Sequence, residues 1–119
     1  MNRQELEQIV AAEYAVTPEY LWEGDNITAA LRHQDTKKWF GVLMRISARK
    51  LNLDSNREVD VAVIKLDPDL IQELIAANPG KLFPAYHMNK KHWLTILLDE
   101  TVDADLVKAL INDSYRLTL

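Results

Sequence analysis

A chain of 119 residues with no cysteine and a formal charge of −4 has room for one hydrophobic core, and excludes a disulfide framework, a thiolate metal site and a cysteine nucleophile. Two domains of half that length would each be marginal, so a single domain over residues 1–119 is expected. The charge is uneven: Arg32 to Lys91 holds 11 Lys or Arg against 7 Asp or Glu, while the flanks hold 3 basic and 11 acidic residues. A local positive face is therefore compatible with net acidity.

The opening stretch MNRQELEQIVAAEY carries acids from Glu5 onward and lacks the basic head, apolar middle and small-residue cleavage site of a secretory signal. Apolar runs such as Trp93 to Leu98 fall far short of the roughly 20 residues that cross a bilayer. The expectation is a cytoplasmic protein that does not enter the membrane.

Asn2 to Ala15 reads as a first helix, with Leu6, Ile9, Val10 and Ala11 at helical spacing and Glu5, Glu7, Gln8 and Glu13 facing out. Thr17-Pro18-Glu19 has the form of a cap and proline opening a short turn. Asn26 to Arg32 and Trp39 to Ile46 then read as two strands of a hairpin, joined by the polar His33 to Lys38. Ser47 to Arg57 is polar, with Leu51 and Leu53 alternating as a short edge segment, a second turn or an interface would have them. Glu58 to Lys65 alternates as a third strand, with Val59, Val61 and Val63 on one side.

Asp67-Pro68-Asp69 caps a helix through Ala77, which Asn78-Pro79-Gly80 stops. Lys81 to Lys91 is a connector rich in bulky side chains, Trp93 to Leu98 a fourth strand, and Val102 to Ser114 a last helix with a short tail. The predicted class is α+β: a mostly antiparallel four-stranded sheet with helices packed against it, in the order α-β-β-β-α-β-α.

Arg32-His33, Lys37-Lys38-Trp39-Phe40-Gly41, the run Pro84-Ala85-Tyr86-His87-Met88-Asn89-Lys90-Lys91-His92-Trp93 and the ending Ser114-Tyr115-Arg116-Leu117 resemble the MmcQ/YjbR family of small bacterial proteins. The resemblance implies a CyaY-like α/β fold, similar to the double-wing domain of a phage transcription activator that touches DNA, and with it a DNA-binding role by fold analogy. One departure is visible: where the family often has cysteine after the lysine that ends the third strand, Lys65 is followed here by Leu66. A thiol role is thereby excluded.

Two groups of residues carry candidate chemistry. Arg32, His33, Lys37 and Lys38 flank the first hairpin turn, and Arg45, Arg49 and Lys50 extend that field. They suit phosphate contact from a protruding wing, or simple solvation of a strand edge. Lys90 and Lys91 join the same basic set. Tyr86, His87, Asn89, His92 and Trp93 form either a recognition surface or pocket, or a hydrogen-bonded turn feeding the fourth strand. Trp39 and Trp93 are expected in the core; a base-stacking platform would need at least one tryptophan exposed beside the lysines.

Enzymatic patterns are absent. The three histidines, His33, His87 and His92, have no metal-ligand spacing, the acids near Asp67 and Asp99 suit helix starts, and no glycine-rich phosphate loop exists. No catalytic residue, metal or cofactor is expected. The expectation is a non-enzymatic binding protein, with weak, salt-sensitive contact to DNA or other nucleic acid through a basic central face. The alternative is a protein–protein or small-ligand module, with a monomer expected in either case because no heptad is present.

Overall fold

A computed structural model describes all of residues 1–119 and contains nine named elements. Helix α1 spans Arg3–Tyr14, strands β1 Ala29–Arg32 and β2 Trp39–Ser47 follow, then a 3-10 turn Ala48–Leu51, β3 Glu58–Lys65 and helix α2 Pro68–Ala77. Strands β4 Leu82–Pro84 and β5 Trp93–Leu97 and helix α3 Ala104–Leu117 complete the chain. The strands form one antiparallel sheet in the order β1-β2-β3-β5-β4.

The helix starts follow local chemistry. Asn2 accepts from the Glu5 amide at 2.9 Å while Glu5 reaches back to the Asn2 amide at 3.1 Å, a reciprocal cap that satisfies two otherwise orphaned donors. Asp67 caps α2 through the Asp69 amide at 2.9 Å, with Pro68 at the first helical position.

All three helices cover one face of the sheet. Leu6 and Val10 of α1, Ile71 of α2 and Val107, Leu110 and Ile111 of α3 share one buried cluster with Leu31, Leu43, Ile64 and Ile96 of the strands. Each such side chain contributes on the order of 2 kcal/mol through loss of apolar area to water. The other face carries Val42, Met44, Ile46, Val59, Val61, Val63 and Leu97 and is covered by connectors alone. One is the 3-10 turn with Leu51 and half-buried Leu53; the other is the segment after β4, with Ala85, Tyr86 and Met88.

The structure departs from the sequence reading at four places. The sheet has five strands, because Leu82–Pro84 inside the expected connector pairs with β5; three residues ending in proline suit an edge and give almost no periodic signal. Thr17-Pro18-Glu19 opens no helical turn and instead runs extended, with Glu19 and Ala30 exchanging backbone hydrogen bonds of 2.9 Å. Only Ala29–Arg32 of the first expected strand is extended, since Asp25 accepts the Ile27 and Thr28 amides at 2.8 Å and holds 25–28 in a turn. Helix α3 begins at Ala104 and absorbs the expected tail through Leu117.

A bulge breaks the pleat of β2. Leu31 lies opposite Gly41 but Arg32 opposite Trp39, so Phe40 is the extra residue. Phe40 is buried with the helix-side cluster, whereas Trp39 packs with the opposite one. Glycine relieves a tight approach beside it: a Cβ at position 41 would meet Leu31 Cδ1 at 3.0 Å.

Candidate nucleic-acid interface

Antiparallel pairing brings three strand ends to one edge of the molecule. Strand β2 begins at Trp39, β3 ends at Lys65 and β5 begins at Trp93, with Lys65 and Trp93 directly paired and Gly41 opposite Ile64. Side chains of paired residues share a face, so Lys65 stands with Trp93 on the face the helices do not cover. Adjacent strands lie about 4.8 Å apart, which places the starts of β2 and β5 roughly 10 Å from each other.

Lysine pairs precede both tryptophans. Lys37 and Lys38 are exposed in the β1–β2 turn, where the His33 amide donates to the Lys38 carbonyl at 2.9 Å and the Lys37 amide to the His33 carbonyl at 3.0 Å. Lys37 adopts φ 65°, a left-handed conformation that closes the turn. On the other side Asn89 organises the approach to β5. Its carbonyl accepts from the His92 and Trp93 amides at 3.2 and 3.0 Å, and its side chain from the Lys91 amide at 2.8 Å. The His92 carbonyl in turn accepts from the Leu66 amide at 3.0 Å.

Trp39 and Trp93 are half-buried against the connector-side cluster. Trp22 stands edge-on to Trp39, 5.8 Å between ring centroids at 84°, and is 40% exposed. The edge thus presents Lys37, Lys38, Lys65 and Lys91 around a tryptophan row with one ring open to solvent. Ser114 of α3 clamps it from below: its hydroxyl donates to the Phe40 carbonyl at 2.6 Å and accepts from the Lys65 amide at 3.0 Å.

The other expected basic residues are engaged elsewhere. Arg32 is held by Glu19 in two bonds of 2.7 Å; the hydrogen bonds from Arg32 lower the Glu19 pKa, and the reciprocal bonds raise that of Arg32. Arg45 pairs with Asp60 at 2.9 Å, which raises the arginine pKa. Arg49 bonds Asn56. The expectation that His33 faces a ligand is corrected: it is 2% exposed, its Nε2 lies 2.8 Å from the Thr118 hydroxyl, and its ring packs against Phe40 and Tyr115. A polar turn residue was claimed by the core because Thr118, 85 positions away, offers its ring a buried partner.

Lys50 and Lys90 lie apart from this edge, in the lining of a cavity under Tyr86, and the Lys90 ammonium donates to the Ala85 carbonyl at 2.8 Å. His87 is exposed with φ 63° and its ring lies 3.9 Å from that of Tyr86. The ion pairs of the chain are made by Arg3, Arg32, Arg45, Arg57 and the N-terminal amine, and no lysine forms one. No three His, Asp or Glu side chains converge as a metal site, and no helix is long and apolar enough to cross a membrane.

The family model YjbR matches residues 11–117, a span that contains the whole of this edge. The chain belongs to the YjbR family. The Bacillus subtilis protein YyaQ is 35% identical over 118 residues, covering 99% of this chain and 98% of that protein. A Pseudomonas syringae protein of known crystal structure superposes with a TM-score of 0.94 at 39% identity, each chain covered in full. The Deinococcus radiodurans protein DR2400, whose matched domain bears the family designation DUF419, gives a TM-score of 0.74 at 25% identity, over 98% of this chain and 77% of the other.

Two residues of this YjbR edge escape a reading of the sequence alone. Lys65 joins the site only through its cross-strand partner Trp93, and Trp22 only through its contact with Trp39. Neither pairing has a local signature; the nearest signal is that two strands each begin with tryptophan one or two residues after a lysine pair.

Proposed function

We propose that this YjbR-family chain is a non-enzymatic binding protein that contacts nucleic-acid phosphates with the lysines and tryptophans gathered at one end of its sheet. The observation that supports the reading is the convergence of Lys37, Lys38, Lys65 and Lys91 on one edge beside Trp39, Trp93 and the open ring of Trp22. None of these ammonium groups has a carboxylate partner to displace. Phosphate contacts fix position without reading sequence, and an exposed indole offers a stacking surface to any unpaired base. The formal charge of −4 opposes long-range attraction to a polyanion, so the association is weak.

The test is titration into labelled duplex DNA, single-stranded DNA and RNA at about 50 and about 200 mM salt. Four neutralised phosphates give a slope of about −3.6 in log affinity against log salt for duplex, hence roughly a 150-fold loss across that range. Replacing Lys37, Lys38, Lys65 and Lys91 together by Gln flattens the slope to near zero. Absence of binding at low salt, or an unchanged slope in that variant, overturns the reading and leaves a protein or small-ligand partner.

A further inference from the structure

The two connectors that cover the helix-free face meet over a cleft of 160 Å³. Its walls are apolar, formed by Leu51 at the end of the 3-10 turn and by Phe83, Pro84 and Ala85 at the end of β4. Its polar groups are of one sign: Lys50 enters from one connector and Lys90 from the other, with Asn52 and Tyr86 beside them and no acid in the lining. The Lys90 ammonium is pinned at 2.8 Å to the Ala85 carbonyl, which fixes its position and leaves two of its three donors free. Lys50 forms no ion pair.

We infer that this cleft is a binding site for a small organic monoanion, a carboxylate on a single-ring or short aliphatic body. The inference is independent of the nucleic-acid reading, which uses neither Lys50 nor Lys90. The carboxylate lies between the two ammonium groups, where charge-assisted hydrogen bonds are about twice as strong as neutral ones. The body lies on Leu51 and Phe83. Size agrees with this class, since an apolar cavity of about 150 Å³ accommodates a benzene ring. Two unmatched cations on an apolar floor match neither a cation nor a neutral hydrocarbon; an amphiphilic anion satisfies both parts of the lining.

The test uses benzoate as probe, followed by amide chemical shifts of the full chain, with benzyl alcohol and inorganic phosphate as comparison ligands. The expected result is saturable benzoate binding with shifts confined to Lys50 to Asn52, Phe83 to Tyr86 and Lys90. Benzyl alcohol and inorganic phosphate each bind at least tenfold more weakly, because one lacks the charge and the other the ring. Lys50→Gln, at an exposed position that leaves the fold intact, weakens benzoate about tenfold, and adding Lys90→Gln abolishes it. Equal affinity for benzyl alcohol, phosphate binding as tight as benzoate, shifts elsewhere, or unchanged affinity in Lys50→Gln overturns the inference.

Discussion

Replacing Ser114 by alanine is expected to cost far more than the loss of one hydroxyl from a helix surface. The bulge at Phe40 turns that residue's carbonyl out of the strand ladder, and β3 ends at Lys65. Ser114, itself 0% exposed, satisfies both the Phe40 carbonyl at 2.6 Å and the Lys65 amide at 3.0 Å. Alanine fits the same space and a helix interior, so packing and propensity change little. What changes is that a buried acceptor and a backbone donor lose their partner together, at about 1–3 kcal/mol each. The expected loss is roughly 2–6 kcal/mol, which for a domain of this size lowers Tm by about 10–20 °C. Urea unfolding should show a lower midpoint at unchanged slope, and exchange of the Lys65 amide should accelerate more than that of Val61 at the centre of β3. A loss below about 0.5 kcal/mol would refute the reasoning, since it would mean that water reaches both groups.

Gly41→Ala places a methyl 3.0 Å from the Leu31 Cδ1 of a fully buried leucine and should destabilise by about 1–3 kcal/mol, read by the same unfolding assay. Glu19→Gln frees Arg32, which lies opposite Trp39. If the edge binds phosphate, the salt slope steepens by about one contact, 0.7 to 0.9 in log units, and an unchanged slope separates Arg32 from the site. Acid should unfold the protein progressively. Hydrogen bonds from Asn2, Arg32 and Thr28 hold Glu5, Glu19 and Asp25 below their ordinary values of 4.5, 4.5 and 3.8, and in Asp99 an upward push from burial is outweighed by bonds from Thr101 and Arg57. These groups bind protons more readily unfolded, so their contribution is complete above those values and is lost as pH falls through the lowered folded ones. Thermal melts from pH 7 to 2 should show a plateau that breaks below about pH 5; stability that rises on acidification would contradict the assignment.

Local chemistry carried much of the fold into legibility. Strand β3 occupies 58–65, where the valine alternation places it, and α2 begins at the Asp67-Pro68 cap. Thr17-Pro18-Glu19 misled because proline after threonine opens a helix only when the following residues have no better partner, and here Ala30 supplies one to Glu19. The alternation of Leu51 and Leu53, open among several readings, resolves as the roof of the second cluster. The candidate site was legible as two separate lysine and tryptophan segments, but not as one edge, because strand order β2-β3-β5 skips over α2 and β4 in the chain. Which cations remain free was equally hidden: Arg32 and Arg45 are silenced by carboxylates 13 and 15 positions away.

The extra residue in β2 also acts as a phase shifter. Side-chain direction in a strand alternates with period two, so counting back from Val42 on the connector side, an unbroken pleat would turn Trp39 toward the helices and Phe40 away from them. The inserted position reverses that parity and delivers indole to one side and phenyl to the other. Whether this surface displays an indole at all is therefore set by the number of residues between the hairpin turn and Gly41, as much as by their identity. Relatives that conserve the aromatic pair but differ by a single position in this stretch are expected to present a different chemical face.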